Sequence, residues 1–263
     1  MKSASLFLGT VLLLSTAAGT GSDAPQPPVE DHYPELTARL DVVREARGIP
    51  GMAAALVKDQ ELVWAQGFGY ADIDDEVAVT PHTPFGLASV TKPIAATLVM
   101  QLVEAGWIDL DAPIAGYGVA APGSSVVTVR HLLTHTSEGT PGETHSYNGD
   151  RFGLLGGVVE GATGSSFAEL LGEQILLPVG MMDTALNPID SWDDGMSTGF
   201  EDFARAAGWG DSFDHYPDVY RRLTSPYQLN GEYEIVPGMY HLTHNPAAGM
   251  LSSAADLAAF DIA

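Results

Sequence analysis

Cysteine is missing altogether from the 263 residues, and lysine occurs only at positions 2, 58 and 92. No disulfide and no lipid-bearing cysteine anchor is possible, so the fold has to stand on its packing alone. Positive charge is scarce: 11 Lys and Arg face 34 Asp and Glu, for a net charge of −23. Nucleic-acid phosphates need a basic face, so nucleic acid is excluded as a partner, and anionic membrane surfaces are disfavoured for the same reason. The acidity reads as a solubility adaptation rather than a selector of substrate. Long hydrophobic runs are lacking as well. The longest, near the start, ends about Leu14 and is too short and interrupted to span a bilayer, which argues against a stable membrane anchor.

What is present is a globular balance, 45% apolar and 17% charged residues, at a length suited to one large domain or two small ones. The opening MKSASLFLGTVLLLSTAAGTG places Lys2, an apolar stretch and then small residues in the order of a secretory signal. Residues 1–19 are therefore expected to be a signal peptide and the protein to be exported, periplasmic or extracellular. Residues 20–33 are a Pro-rich acidic linker. Pro34 begins a helical pattern with Leu36, Leu40 and Val43 on one face, stopped by Gly48 and Pro50. MAAALVK (52–58) and ELVWAQGFGY (61–70), joined at Asp59-Gln60, predict an antiparallel hairpin.

A loop rich in Asp, Thr and Pro leads to an apolar helix from Ser89 to Glu104, ended by Gly106 and expected to be buried on most sides. Shorter helices are predicted after Thr128, over Phe152–Glu160 and over Phe167–Leu176. A last helix follows Ser253, with Asp256 in the capping-box position. Hairpin followed by helices predicts an α+β fold, helices gathered against an antiparallel sheet. A lone hairpin needs at least a third strand, and nothing after residue 130 supplies a convincing one. The sequence accordingly reads as a domain over 34–263 that is incomplete at its C-terminus.

Ser89 and Lys92 stand three residues apart, on one face of a helical turn. About 0.2 such Ser-x-x-Lys matches are expected by chance, so the spacing alone proves little. Its chemistry is nevertheless apt. A serine hydroxyl needs a base, and burial together with the positive end of a helix would favour a neutral lysine. The Ser89 amide N–H in the first turn could face a developing oxyanion. The plain alternative is a capped helix with a snorkelling lysine.

Five stretches, in order, carry a resemblance. FGLASVTKPIAATLVMQLVEAGWIDLDAPI, TVRHLLTHTS, PGETHSYNGDRFGLLGGVVE, ILLPVGMMDT and PAAGMLSSAADLAAF together resemble the class C branch of the serine beta-lactamase and penicillin-binding protein superfamily over roughly residues 36–260. The resemblance implies a beta-lactamase/transpeptidase-like fold, an antiparallel sheet flanked by helices plus a helical subdomain, whose late strands are missing here along with a Lys-Thr-Gly or His-x-Gly motif and a second oxyanion donor. It implies that Ser89 is the acylated nucleophile, Lys92 its proton-relay partner and Tyr147 the general base or acid. The family asparagine that holds the substrate's amide would fall at Gly149, with Asn148 one position earlier as its possible replacement. That departure tilts the expectation away from β-lactams.

Expected, then, is an exported serine hydrolase acting through an acyl-enzyme on D-alanyl peptides, β-lactams or small esters. Its partner is a small-molecule or peptidoglycan-derived substrate, and no cofactor or metal is called for. The alternative is a catalytically silent binding or sensor module of the same fold, or an inactive fragment. Gly195-Met196-Ser197-Thr198-Gly199 matches a nucleophile elbow but follows SWDD instead of a hydrophobic strand. His131 and His135, with His145 downstream, have metal-like spacing, yet Leu132 stands where H-E-x-x-H has glutamate. Helix packing or capping is the better reading of these histidines. Tyr117 reads as packing, and His241 and His244 carry no signal.

Overall fold

Helix α1 (Pro34–Ala46) starts at a proline whose fixed φ suits a first turn. The computed structural model describes residues 33–123, 126–186, 215–232, 234–238 and 245–263. The stretches expected to be a signal peptide and linker, up to His32, and Ser197, His241 and His244 lie outside them. On α1 the expected apolar face is only partly realised. Leu36 and Leu40 are half-buried, but Val43 is exposed. Arg44 takes the inward position instead, bonded to Asp41 at 2.7 Å and to the Ile49 carbonyl at 3.1 Å.

The predicted hairpin forms as β1 (Gly51–Lys58) and β2 (Glu61–Asp72), antiparallel with Met52 opposite Phe68. Asp59 and Gln60 both take positive φ, 54° and 63°, the requirement of the two-residue turn that matches strand twist. The third strand comes from the stretch read as loop. Strand β3 (Val77–Ala78) pairs with β2, giving the order β1-β2-β3. Only two residues pair, too few to leave an alternation in the sequence.

A second small sheet positions the site. Strand β4 (Phe85–Gly86) leads through a 3-10 turn, Ala88–Val90, into α2 (Thr91–Glu104). Next come α3 (Val129–Leu133), α4 (Gly149–Gly153), α5 (Leu155–Thr163), α6 (Phe167–Leu171) and α7 (Leu177–Val179). Strand β5 (Ala185–Leu186), helix α8 (Tyr216–Arg221), the hairpin β6 (Tyr227–Leu229) and β7 (Ile235–Pro237), strand β8 (Met250–Ser252) and helix α9 (Ala254–Ile262) complete the described chain. Strand β8 lies between β4 and β5, pairing Phe85 with Ser252 and Leu186 with Met250. The segments α6 and α7 join through a wide π turn at Gly172–Leu176, which absorbs Pro178, a residue with no N–H that crowds the preceding turn.

Helix α2 is buried along Ile94, Ala95, Leu98, Val99 and Leu102, while Pro93, Met100, Gln101 and Glu104 face out. It is thus one-sided, not buried nearly all round. Val129, Leu132, Leu155, Val158, Leu171, Leu176 and Leu251 close over that face. Each such buried aliphatic side chain contributes about 1.5–3 kcal/mol. Gly161 allows α5 to approach the Ile114–Tyr117 turn, because a Cβ there would sit 1.9 Å from the Tyr117 carbonyl oxygen. The Tyr117 hydroxyl accepts the Asp109 amide at 2.8 Å, a packing and loop-fixing role.

The capping box at α9 is only half made. Ser253 Oγ accepts the Asp256 N–H at 3.1 Å, but the Asp256 carboxylate turns to the Asp183 amide and the Thr184 hydroxyl, both at 2.7 Å. Asp256 thereby clamps the strand β5 approach onto α9. Burial pushes its carboxyl above the ordinary carboxylate range despite those donors. Its protonated form is the one the fold favours, so this group lowers stability as pH rises from its unfolded value through its raised folded value. Replacing it by alanine removes the acceptor of the Asp183 N–H and leaves the Thr184 hydroxyl only its 2.6 Å contact with Ser252 Oγ. Asp256→Ala is expected to cost about 2–4 kcal/mol, read as a lower urea midpoint at unchanged slope. A loss below about 0.5 kcal/mol would show that the clamp is idle.

Candidate active site

Ser89 sits at a corner built from backbone. Gly86 pairs with Leu251, and the Leu87 N–H donates to the Met250 carbonyl at 2.9 Å, fixing the chain entering the turn. The Met250 N–H donates to Thr91 Oγ1 at 3.2 Å, fixing the chain leaving it. Between these anchors Ala88 takes φ 44°, a left-handed conformation that costs a residue with a Cβ roughly 1–2 kcal/mol. That strain pushes Ser89 outward, where it is exposed.

Lys92 lies one turn on and points inward, 8% exposed. Its ammonium donates to Ser89 Oγ at 3.0 Å and to the Ala247 carbonyl at 2.9 Å. Among the described residues no carboxylate forms an ion pair with it, which is unusual for a buried cation. Aromatic faces stand nearby instead, with Nζ 4.9 Å from the Tyr147 ring centre and 5.5 Å from that of Phe152.

Tyr147, on the loop before α4, donates its hydroxyl to Ser89 Oγ at 2.7 Å. The ring is 58% exposed, so solvent screens its surroundings. The Lys92 ammonium first, and the Ser89 hydroxyl second, hold the phenol below its usual value near 10. Three of the four residues singled out in the sequence therefore meet at one oxygen, Ser89 Oγ.

Asn148 does not join them. Its Oδ1 caps α4 by accepting the Arg151 N–H at 3.0 Å, and its Nδ2 donates to Glu138 at 3.0 Å. Glu138 also accepts the Ser146 hydroxyl at 2.5 Å, and these two donors hold its carboxyl below the ordinary range. Gly149 opens the first turn of α4 with nothing nearer than the Ala247 methyl, 4.0 Å from where its Cβ would stand. A side chain at 149 has room beside the carbonyl that holds Lys92.

The sequence reading gave no part to Ala247, since a backbone acceptor leaves no residue-type signal. His131 caps α3 as half of a capping box, its Nδ1 accepting the Thr128 N–H at 3.2 Å. Among the described residues no group of three His, Asp or Glu side chains is arranged to hold a metal ion.

Comparison with known proteins bears on the family and the fold. The beta-lactamase family model matches residues 29–262. The chain is 35% identical over 104 residues to the mitochondrial serine beta-lactamase-like protein LACTB of Bos taurus, covering 37% of this chain and 19% of that one. It is 39% identical over 113 residues to esterase EstB of Burkholderia gladioli, covering 39% and 29%. The octameric penicillin-binding protein homologue of Pyrococcus abyssi superposes with a TM-score of 0.68 at 25% identity, covering 88% of this chain and 56% of that one. The fold is that of the serine hydrolases of the beta-lactamase and transpeptidase class. The chain belongs to the beta-lactamase family. Its matches to the two curated relatives span less than a third of their lengths.

Proposed function

We propose that the protein is an exported serine hydrolase that cleaves an amide or ester carbonyl through an acyl-enzyme on Ser89. The observation that carries this reading is the convergence of Lys92 Nζ and Tyr147 Oη on Ser89 Oγ, at 3.0 and 2.7 Å. Tyr147, ionised beside the Lys92 ammonium, takes the Ser89 proton as Oγ adds to the carbonyl. The Ser89 N–H donates to the resulting oxyanion. The phenol then hands the proton to the departing alcohol or amine. Water adds to the acyl-serine by the reverse relay, releasing the acid and restoring Ser89.

Small esters are the favoured substrates over β-lactams. Asn148 is tied to Arg151 and Glu138, and Gly149 has no side chain, so neither presents an amide group for the substrate's own amide. The similarity to an esterase supports the same choice. Export rests on the N-terminal signal pattern. Among the described residues no helix is long and apolar enough to cross a membrane.

The test is covalent labelling with a fluorophosphonate and, separately, a fluorescent penicillin. Fluorophosphonate should label the wild type at one site and Ser89→Ala not at all, with weaker labelling by penicillin. Equal labelling of Ser89→Ala sinks the assignment, and loss in Ser197→Ala instead would move the nucleophile to the Gly195–Gly199 loop. An unlabelled wild type would favour the silent binding module.

A further inference from the structure

His135 takes φ 54°, a strained backbone for a bulky residue, immediately after α3. From there it grips the Tyr147 loop at two points. Its carbonyl accepts the Ser146 N–H at 2.7 Å, and its ring Nδ1 accepts the Asn148 N–H at 3.3 Å. These are the residues on either side of Tyr147. The imidazole also lies 4.6 Å from the Tyr147 ring centre and stacks on Phe152 at 5.5 Å, the same Phe152 that backs Lys92. One residue thus contacts the base's ring, both flanking amides and the aromatic floor beneath the lysine. None of the proposed proton transfers uses it.

We propose that His135 is a positioning residue for Tyr147, a neutral imidazole whose Nδ1 pins the Asn148 amide and whose face holds the phenol against Ser89. The inference rests on the reading of Ser89 as the acylated nucleophile and of Tyr147 as its base. An Nδ1 that accepts a backbone N–H must be unprotonated, which puts the ring proton on Nε2. The charged and titratable groups around it are Lys92 on α2, His145 and Tyr147 on the loop before α4, Glu138 after α3 and Arg151 on α4, which acts on Glu138. Burial, then Lys92, then His145 hold the imidazole below its usual range near 6.5, so it stays neutral as the medium becomes mildly acidic. Protonation would turn the Nδ1 acceptor into a donor facing the Asn148 N–H and add a second cation beside Lys92. The loop would then release Tyr147.

Two variants and two readouts decide it. His135→Phe keeps an aromatic ring and removes the acceptor. His135→Asn suits the left-handed backbone and removes the ring, so the fold is kept. Fluorophosphonate labelling at pH 8 is expected to be about tenfold slower in His135→Phe and slower still in His135→Asn, as for a reacting group misplaced by part of an ångström. The half-saturating probe concentration should not change. As the pH falls below the ordinary imidazole range, the wild-type rate should fall more steeply than one proton explains, and His135→Phe should lose that extra steepness.

The second readout needs no turnover. In a 13Cζ-tyrosine NMR titration, the Tyr147 signal is assigned by its loss in Tyr147→Phe. It should ionise at higher pH in both His135 variants than in the wild type, because the phenol has left Lys92 and Ser89. An unmoved Tyr147 titration overturns the inference, as does wild-type labelling in both variants. An unlabelled wild type strikes the nucleophile assignment, while the NMR titration still decides the positioning.

Discussion

Lys92→Met is expected to abolish acylation of Ser89 while leaving the protein as stable as the wild type or more so. The side chain is almost fully buried, carries a charge and has no carboxylate partner among the described residues. Withdrawing an ammonium from water costs several kcal/mol after relaxation, and two hydrogen bonds to neutral oxygens offset only part of that. Methionine fills a similar volume without the charge. Its cost is the Ala247 carbonyl left without a donor, about 1–3 kcal/mol. The net change expected is between zero and about 2 kcal/mol of added stability. Acylation loses the cation that favours the Tyr147 phenolate and the donor that orients Ser89 Oγ, so the labelling rate should fall by roughly 1000-fold or more. Denaturant unfolding and labelling kinetics on the same preparation check both halves. A variant that unfolds readily, or one that keeps a tenth of the activity, would show that Lys92 serves structure and not chemistry.

Tyr147→Phe removes one oxygen from a ring that is largely exposed, so the fold should not register the change. The effect belongs to the proton relay. Losing a positioned general base costs typically 10²–10⁴-fold, and the labelling rate should drop within that range. The pH dependence is more discriminating than the magnitude. Because Lys92 and Ser89 hold the phenol below its ordinary value near 10, the phenolate fraction, and with it the wild-type rate, should climb through neutral and mildly alkaline pH. It should level off at a pH lower than an ordinary tyrosine would set. The phenylalanine variant has no phenol to ionise, so its residual rate should lack that climb. A wild-type rate independent of pH from 6 to 9 would argue that Tyr147 acts only as a hydrogen-bond donor.

Much of the fold was legible because its signals are local. The β1–β2 hairpin shows in two apolar runs about a two-residue turn. Pro34 and Ser253 mark helix starts, and α2 shows in its mostly apolar stretch from Ile94 to Val103. What escaped the sequence depends on distant partners. Strand β3 pairs only two residues. Val43 fits the helical period of α1 yet faces solvent, because Arg44 reaches Asp41 and Ile49. Asp256 has the spacing of a capping box but bonds to Asp183 and Thr184, some 70 positions away in the chain.

The site divides in the same way. Ser89 and Lys92 follow from one turn of helix, since residues i and i+3 share a face whatever surrounds them. Tyr147 could be named only through the family resemblance of its neighbours, because no local period links it to a serine 58 positions earlier. The sequence alone determined the helix pair, the hairpin, the absence of cysteine and the scarcity of basic charge. Tertiary structure alone decided that Tyr147 reaches Ser89, that the Ala247 carbonyl holds Lys92, that Asn148 is spent on a helix cap, and that His135 backs the Tyr147 loop. The physical reason is range. Spacing along the chain fixes contacts within one turn or one hairpin, whereas contacts across tens of residues exist only once packing has brought the elements together.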